Sequence, residues 1–160
     1  MKRIVSFIVV LFVLFQLKGQ ENNQLNKNII SAIKSYIINN KDFVRNKFSL
    51  QETSRYYICR DGLPADFSYD NIQDITSFSL NNLDGLPIQL KNKFRKGIKV
   101  LFVGLKISNN QITITVSGRI VRLLKKHNLN IAISDWGIFT YEYSCEKQEW
   151  ELKETKYGGV

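Results

Sequence analysis

From Ile98 to Thr155 the chain is a run of consecutive strand-like segments, which restricts it to folds built on an antiparallel sheet. Val100–Ile107 and Gln111–Val121 are rich in β-branched residues and are separated by Ser108-Asn109-Asn110. Asn tolerates positive φ, so Asn109-Asn110 suits a two-residue hairpin loop. That loop sets Ile107 opposite Ile112, Leu105 opposite Ile114 and Val103 opposite Val116, so one face is apolar throughout. Thr113, Thr115, Ser117 and Arg119 occupy the other face and are expected to meet water. Beyond Gly118 the pattern changes phase, with Ile120, Val121 and Leu123 all apolar, and a Gly at a phase change predicts a bulge or bend.

A second hairpin is expected over Gly137–Thr155. Phe139, Tyr141, Tyr143 and Cys145 alternate with Thr140, Glu142 and Ser144. An even-length turn near Glu146-Lys147 then puts Tyr143 across from Trp150 and Tyr141 across from Leu152. Between the hairpins, Leu129, Ile131 and Ile133 alternate with polar or small residues. They predict a separate strand that stops at Asp135-Trp136-Gly137.

Residues 1–19 have the pattern of a signal peptide. Lys2 and Arg3 precede a largely apolar stretch from Ile4 to Leu17, and Gly19 supplies a small residue before Gln20. The stretch is shorter than the ~20 residues a spanning helix needs, so no stable membrane span is expected after cleavage, an uncleaved anchor being the alternative. Removing Lys2, Arg3 and Lys18 from the basic groups leaves 20 against 14 acidic groups, a net charge of +6 on a single domain, residues 20–160. Within it, Leu25–Ile38 carries apolar residues at helical spacing and predicts an amphipathic helix whose partner is the apolar face of the sheet. Ser54–Arg60 and Ile75–Leu80 read as short strands. Asp61-Gly62-Leu63-Pro64 and Asp84-Gly85-Leu86-Pro87 read as two turns. Leu86, Leu90 and Phe94, spaced by four between Pro87 and Gly97, predict a short second helix. The fold class is therefore α+β, an N-terminal helix packed on a curved, mainly antiparallel sheet that ends in a C-terminal meander.

Chemistry-bearing residues are sparse. Cys59 and Cys145 are the only cysteines; export makes them a disulfide candidate, and two buried small hydrophobes are the alternative. Two Cys and one His without ligand spacing leave no expected metal site, and no phosphate loop or dinucleotide fingerprint calls for a cofactor. His127, in Lys125-Lys126-His127-Asn128, reads as a solvated loop residue. Glu142 and Glu151 would face each other in the last hairpin, where paired carboxylates can share a proton or hold a cation. Asp135 would stand at the rim of a concave sheet, as a general base or, more plainly, a turn cap. Tyr141 completes the catalytic candidates and is equally a core residue. The basic run Lys91, Lys93, Arg95, Lys96 and Lys99 is the candidate binding surface, with Arg122, Lys125 and Lys126 a second cluster. Export points its partner away from nucleic acid and toward an anionic surface, a polysaccharide or another exported protein.

The order of elements resembles the cystatin-like or nuclear-transport-factor-like α+β group, in which a curved sheet wraps a helix. The tail, Tyr141-Glu142-Tyr143-Ser144-Cys145 with Trp150 and Tyr157-Gly158-Gly159-Val160, looks like small exported proteins of Bacteroidetes type. Two readings follow. One is a periplasmic or secreted binding module that uses the sheet or an edge. The other, permitted by the cone-fold resemblance, is a small enzyme with acid/base groups in the sheet concavity.

Overall fold

A computed structural model describes residues 24–40, 56–70, 72, 74–124 and 128–159. The expected signal segment and the loop residues Lys125, Lys126 and His127 lie outside the described residues. Residues 24–40 are helical (α1). The remaining elements are β1 (Tyr56–Cys59), β2 (Ile75–Phe78), α2 (Ile88–Lys96), β3 (Ile98–Ser108), β4 (Gln111–Leu123), β5 (Leu129–Ser144) and β6 (Glu149–Gly159). The six strands form one sheet in the order β2-β1-β3-β4-β5-β6, parallel around β1 and antiparallel from β3 onward.

The β3–β4 hairpin has the expected register, Ser108 opposite Gln111 through Val103 opposite Val116, with Asn109 at φ 52° in its loop. The last hairpin likewise pairs Tyr143 with Trp150 and Tyr141 with Leu152, and the first pair meets edge-to-face at 5.4 Å. The strand between the hairpins departs from expectation. It does not stop at Asp135-Trp136-Gly137 but continues through them, so β5 is a single strand of 16 residues. It can do so because it carries a bulge: Gly118 pairs with Asp135 and Arg119 with Ile133, which leaves Ser134 as the extra residue. The phase change at Gly118 is thus accommodated by one residue inserted on the neighbouring strand.

The sheet is covered on both faces. On one, Ile29, Ala32, Ile33 and Tyr36 of α1 share a buried cluster with Ile58, Leu101, Val103, Ile112, Ile114, Val116, Phe139 and Tyr141. Polar contacts fix how α1 lies on that face. Gln24 Nε2 donates to the Gln148 carbonyl at 3.3 Å, Tyr141 Oη to the Asn28 carbonyl at 3.2 Å, and Asn39 Nδ2 to Tyr157 Oη at 2.6 Å. The helix therefore runs from the β5–β6 turn toward the bulge. On the opposite face, Leu90 and Phe94 of α2 bury against Tyr57, Cys59, Phe78, Val100 and Val121, with Phe78 and Phe94 edge-to-face at 4.9 Å. α2 lies there because it carries the chain from β2 to β3 across β1, a crossover that parallel neighbours require. Pro87 caps its start and Gly97, at φ 88°, its end.

The Cys59–Cys145 disulfide is not present: Cys59 is buried and Cys145 exposed, and both thiols are free. Two strands separate β1 from β5, so at about 4.8 Å per strand the cysteines are far beyond the 4.4–6.8 Å between Cα atoms that a bridge needs.

Ile33 is fully buried between α1 and the sheet whereas Ile38 is 66% exposed. Ile33→Ala is expected to lower unfolding free energy by about 2–5 kcal/mol, and Ile38→Ala by less than about 0.5 kcal/mol, in urea titrations followed by circular dichroism.

Candidate functional site

The bulge aims Asp135 inward. A strand alternates sides with period two, so one inserted residue moves everything after it to the other face. Asp135, Gly137, Phe139 and Tyr141 consequently share the α1 side, and Asp135 is left 1% exposed beneath the helix. Lys99 of β3 reaches it with Nζ 2.5 Å from Oδ2. Ser134 Oγ lies within hydrogen-bond reach of the same oxygen at 2.7 Å and of the Gly118 carbonyl at 3.0 Å, its one proton serving either. Lys99 Nζ also stands 5.8 Å from the centre of the Tyr36 ring. Asp135 Oδ1 and Tyr36 Oη are buried without a hydrogen-bond partner among the described residues. Gly118 makes the gathering sterically feasible, since a Cβ there would collide with Lys99 Cε, Tyr36 Oη and Asp135 Oδ1.

Burial lifts the Asp135 carboxyl to about 6, the Gly118 backbone drawing it back in part, and lowers Lys99 to about 8. At pH 7 the pair therefore stands as carboxylate and ammonium. Raising the acid's pKa means the folded state holds that proton more tightly than the unfolded chain. The stabilisation linked to Asp135 is complete below about pH 4 and is lost as pH rises through about 6. Lys99 has the opposite sense of shift, so its linked stabilisation is complete above its ordinary value and is lost as pH falls through about 8. Near neutrality both burial penalties are carried together, and the 2.5 Å contact offsets them.

The remaining sequence candidates are not brought to this point. Asp135 does not occupy an open rim, because α1 seals it. Tyr141 shares its face but lies six residues along β5, roughly 20 Å away, with its hydroxyl spent on α1 and its pKa raised by burial. Glu142 is on the opposite face and accepts from Gln111 Nε2 at 2.8 Å, beside an open depression of about 370 Å³ at the β3–β4 hairpin tip. It does stand across from Glu151, whose carboxylate is taken up by lysines. Lys147 at 2.6 Å and Lys153 at 2.8 Å clamp Glu151 and hold its carboxyl down at about 2. Among the described residues no His, Cys, Asp and Glu group could hold a metal ion.

The basic run is divided. Lys99 leaves it for the α1 side. Lys91, Lys93, Arg95 and Lys96 stay with α2 on the other face, where Lys93, Arg95 and Lys96 are exposed. Lys93 is held in place, its Nζ 2.6 Å from Tyr57 Oη and 5.2 Å from that ring's centre. Lys91 Nζ donates to the Asp84 carbonyl at 2.8 Å.

Sequence reasoning missed the Lys99–Asp135 pair and the part Tyr36 plays beside it. The available signal was an acid preceded by Ser and followed by Trp-Gly inside an otherwise apolar strand, opposite the glycine where the neighbouring strand changes phase.

Lys99→Met is expected to destabilise the protein by about 3–5 kcal/mol at pH 7, because it leaves a buried carboxylate unpaired. The loss should shrink as pH falls toward 5, where Asp135 takes up a proton. Adding Asp135→Asn should recover most of it. Urea unfolding of the single and double variants across that pH range checks both statements. In comparisons with known proteins, no family model, curated protein or solved structure matches this chain.

Proposed function

We propose that the chain is an exported binding module, periplasmic or secreted, and that α2 with the sheet face beneath it holds an anionic partner. The observation that carries this reading is the charge of α2. Its nine residues, IQLKNKFRK, include four cations and no acid, and they expose Lys93, Arg95 and Lys96 while Leu90 and Phe94 anchor the helix to the sheet. A rigid element that displays one sign of charge concentrates counter-charged ligands at its surface. Export is supported by Lys2, Arg3 and the apolar stretch from Ile4 to Leu17. No helix among the described residues is long and apolar enough to cross a membrane.

The cystatin-like layout belongs to the same proposal: the strands from β3 to β6 wrap α1, and α2 is added on the outside. The second reading, acid/base chemistry in the sheet concavity, draws on the displaced titrations of Asp135 and Lys99. Against it stands the burial of Asp135 at 1% exposure, with isoleucine and tyrosine side chains filling the space between helix and sheet. A substrate would have to lift α1 to reach the carboxylate.

Arg95→Glu with Lys96→Glu is expected to weaken binding to dextran sulfate at least about tenfold at low ionic strength while leaving the thermal transition in place. Binding of the wild-type protein should fall steeply with added salt. Fluorescence anisotropy of labelled dextran sulfate measures both effects. Equal binding by the double variant at low salt would remove α2 from the reading.

A further inference from the structure

The β5 bulge brings Lys99 and Asp135 together across β4. Asp135 pairs directly with Gly118, and Gly118 pairs with Leu101, two residues beyond Lys99 on β3. A lysine stem can cross the middle strand only where no side chain stands in its way. At Gly118 a Cβ would collide with Lys99 Cε and Asp135 Oδ1, so the stem and the carboxyl fill the space a side chain would take. Nζ ends 2.5 Å from Oδ2, inside the ~2.7–2.9 Å of an ordinary charge-assisted hydrogen bond. A carboxyl C–O bond adds about 1.2 Å, which leaves Nζ no more than about 3.7 Å from the carboxyl carbon Cγ. That is close to the ~3–3.5 Å from which a bond between reacting atoms can form.

The surroundings suit condensation of the two groups. The Lys99 side chain is 18% exposed and that of Asp135 1%, beneath α1. Burial brings their titrations to about 8 and about 6, so the neutral amine and acid that condensation needs are far more accessible than for the same groups in water. Water, which would reverse the reaction, is kept out by the same packing. Each carboxyl oxygen also has a neighbour matched to its part. Oδ2 lies 2.7 Å from Ser134 Oγ, a hydroxyl that can pass a proton. Oδ1 has no hydrogen-bond partner among the described residues, and neither has Tyr36 Oη, which converges on the same point over Gly118.

We propose that Lys99 and Asp135 condense to an isopeptide bond, Nζ to Cγ, that joins β3 to β5 across β4. One proton crosses from Nζ to Oδ2 and leaves an amine facing an acid. The nitrogen lone pair attacks Cγ, and the electrons of the Cγ–Oδ1 double bond move onto Oδ1, where Tyr36 Oη is placed to donate a hydrogen bond. The carbonyl then re-forms and the Cγ–Oδ2 bond breaks. Oδ2 takes a second proton from the nitrogen, relayed by Ser134 Oγ, and departs as water. No other reactant is needed: an ammonium and a carboxylate become an amide and one water. The ion pair described above is the reactant state, and its titrations and stability changes belong to the uncondensed chain. Both cysteines are free thiols, so the isopeptide bond supplies a covalent staple that they do not. It lies on the α1 side and is independent of the anionic-partner reading.

Trypsin does not cut after an acylated lysine. A digest of the folded wild-type protein is therefore expected to contain residues 97–106, uncut at Lys99, joined to residues 127–147 with the loss of one water. Tandem mass spectrometry locates the join. Lys99→Arg and Asp135→Ala should each abolish the linked species. Tyr36→Phe tests the part given to its hydroxyl, in chain isolated unfolded, refolded and sampled over time. It should slow the appearance of the linked species at least about tenfold while helical circular dichroism recovers as in the wild type. An unchanged rate would overturn that part. Folded wild-type protein that yields only separate peptides after days at pH 7 would overturn the proposal, the two groups then being an ion pair only. A water loss confined to residues 127–147 would mark a cyclised aspartate and overturn it equally. Neither result touches the anionic-partner reading, which dextran sulfate tests.

Discussion

The extra residue at Ser134 is the constraint on which the rest of the architecture depends. Strands obey a period of two, and β5 is long enough to serve both faces of the sheet only because one inserted residue changes its phase midway. Before the bulge, Leu129 packs toward the α2 side. After it, Phe139 and Tyr141 pack toward α1. A regular β5 would put Leu129, Ile131 and Ile133 on the same face as Phe139 and Tyr141 and leave one of the two cores short of a wall. The cost of the shift is that Asp135 comes to lie under α1, and the molecule meets it with Lys99 of β3 and the hydroxyl of Ser134. Gly118 supplies the space in which those groups and Tyr36 converge.

From that point the roles of the two faces separate. The α1 side is a closed core. The Lys99–Asp135 ion pair on this side is nearly sealed, so the chemistry there couples to stability and pH. Among the described residues the α2 side is the one left partly open, because a nine-residue crossover helix cannot cover a sheet whose later strands run to 11 residues and more. The exposed cations of α2 and the half-buried Trp136 lie on this second face. β6, at the sheet edge, carries a register shift opposite Thr140/Tyr141 and alternating Glu and Lys residues, devices that discourage further strand pairing.

Much of this was legible locally. Asn109-Asn110 and the alternation on either side determine the β3–β4 register, since a slip of one residue would turn Ile112, Ile114 and Val116 to water. Pro87, Gly97 and the four-residue spacing of Leu90 and Phe94 define α2 without help from tertiary structure. What was not legible depended on pairing between distant segments. Asp135-Trp136-Gly137 looks like a strand terminator, and it is continuous strand because its partner is Gly118. Lys99 looks like the end of a basic run, yet strand alternation sends it to the opposite face from Lys96. Cys59 and Cys145 suggested a bridge on count and compartment alone, and strand order keeps them apart.

The claim that β5 serves both faces can be read from side-chain proximities in the folded domain. A nuclear Overhauser spectrum with labelled methyl and aromatic groups should connect Leu129 to the Val121 and Phe94 side, connect Phe139 to the Ile33 and Ile114 side, and join the Tyr36 ring to the Gly118 α-protons. Leu129 and Phe139 contacting one common set of residues, with no Tyr36–Gly118 contact, would show an unbulged strand and contradict the account.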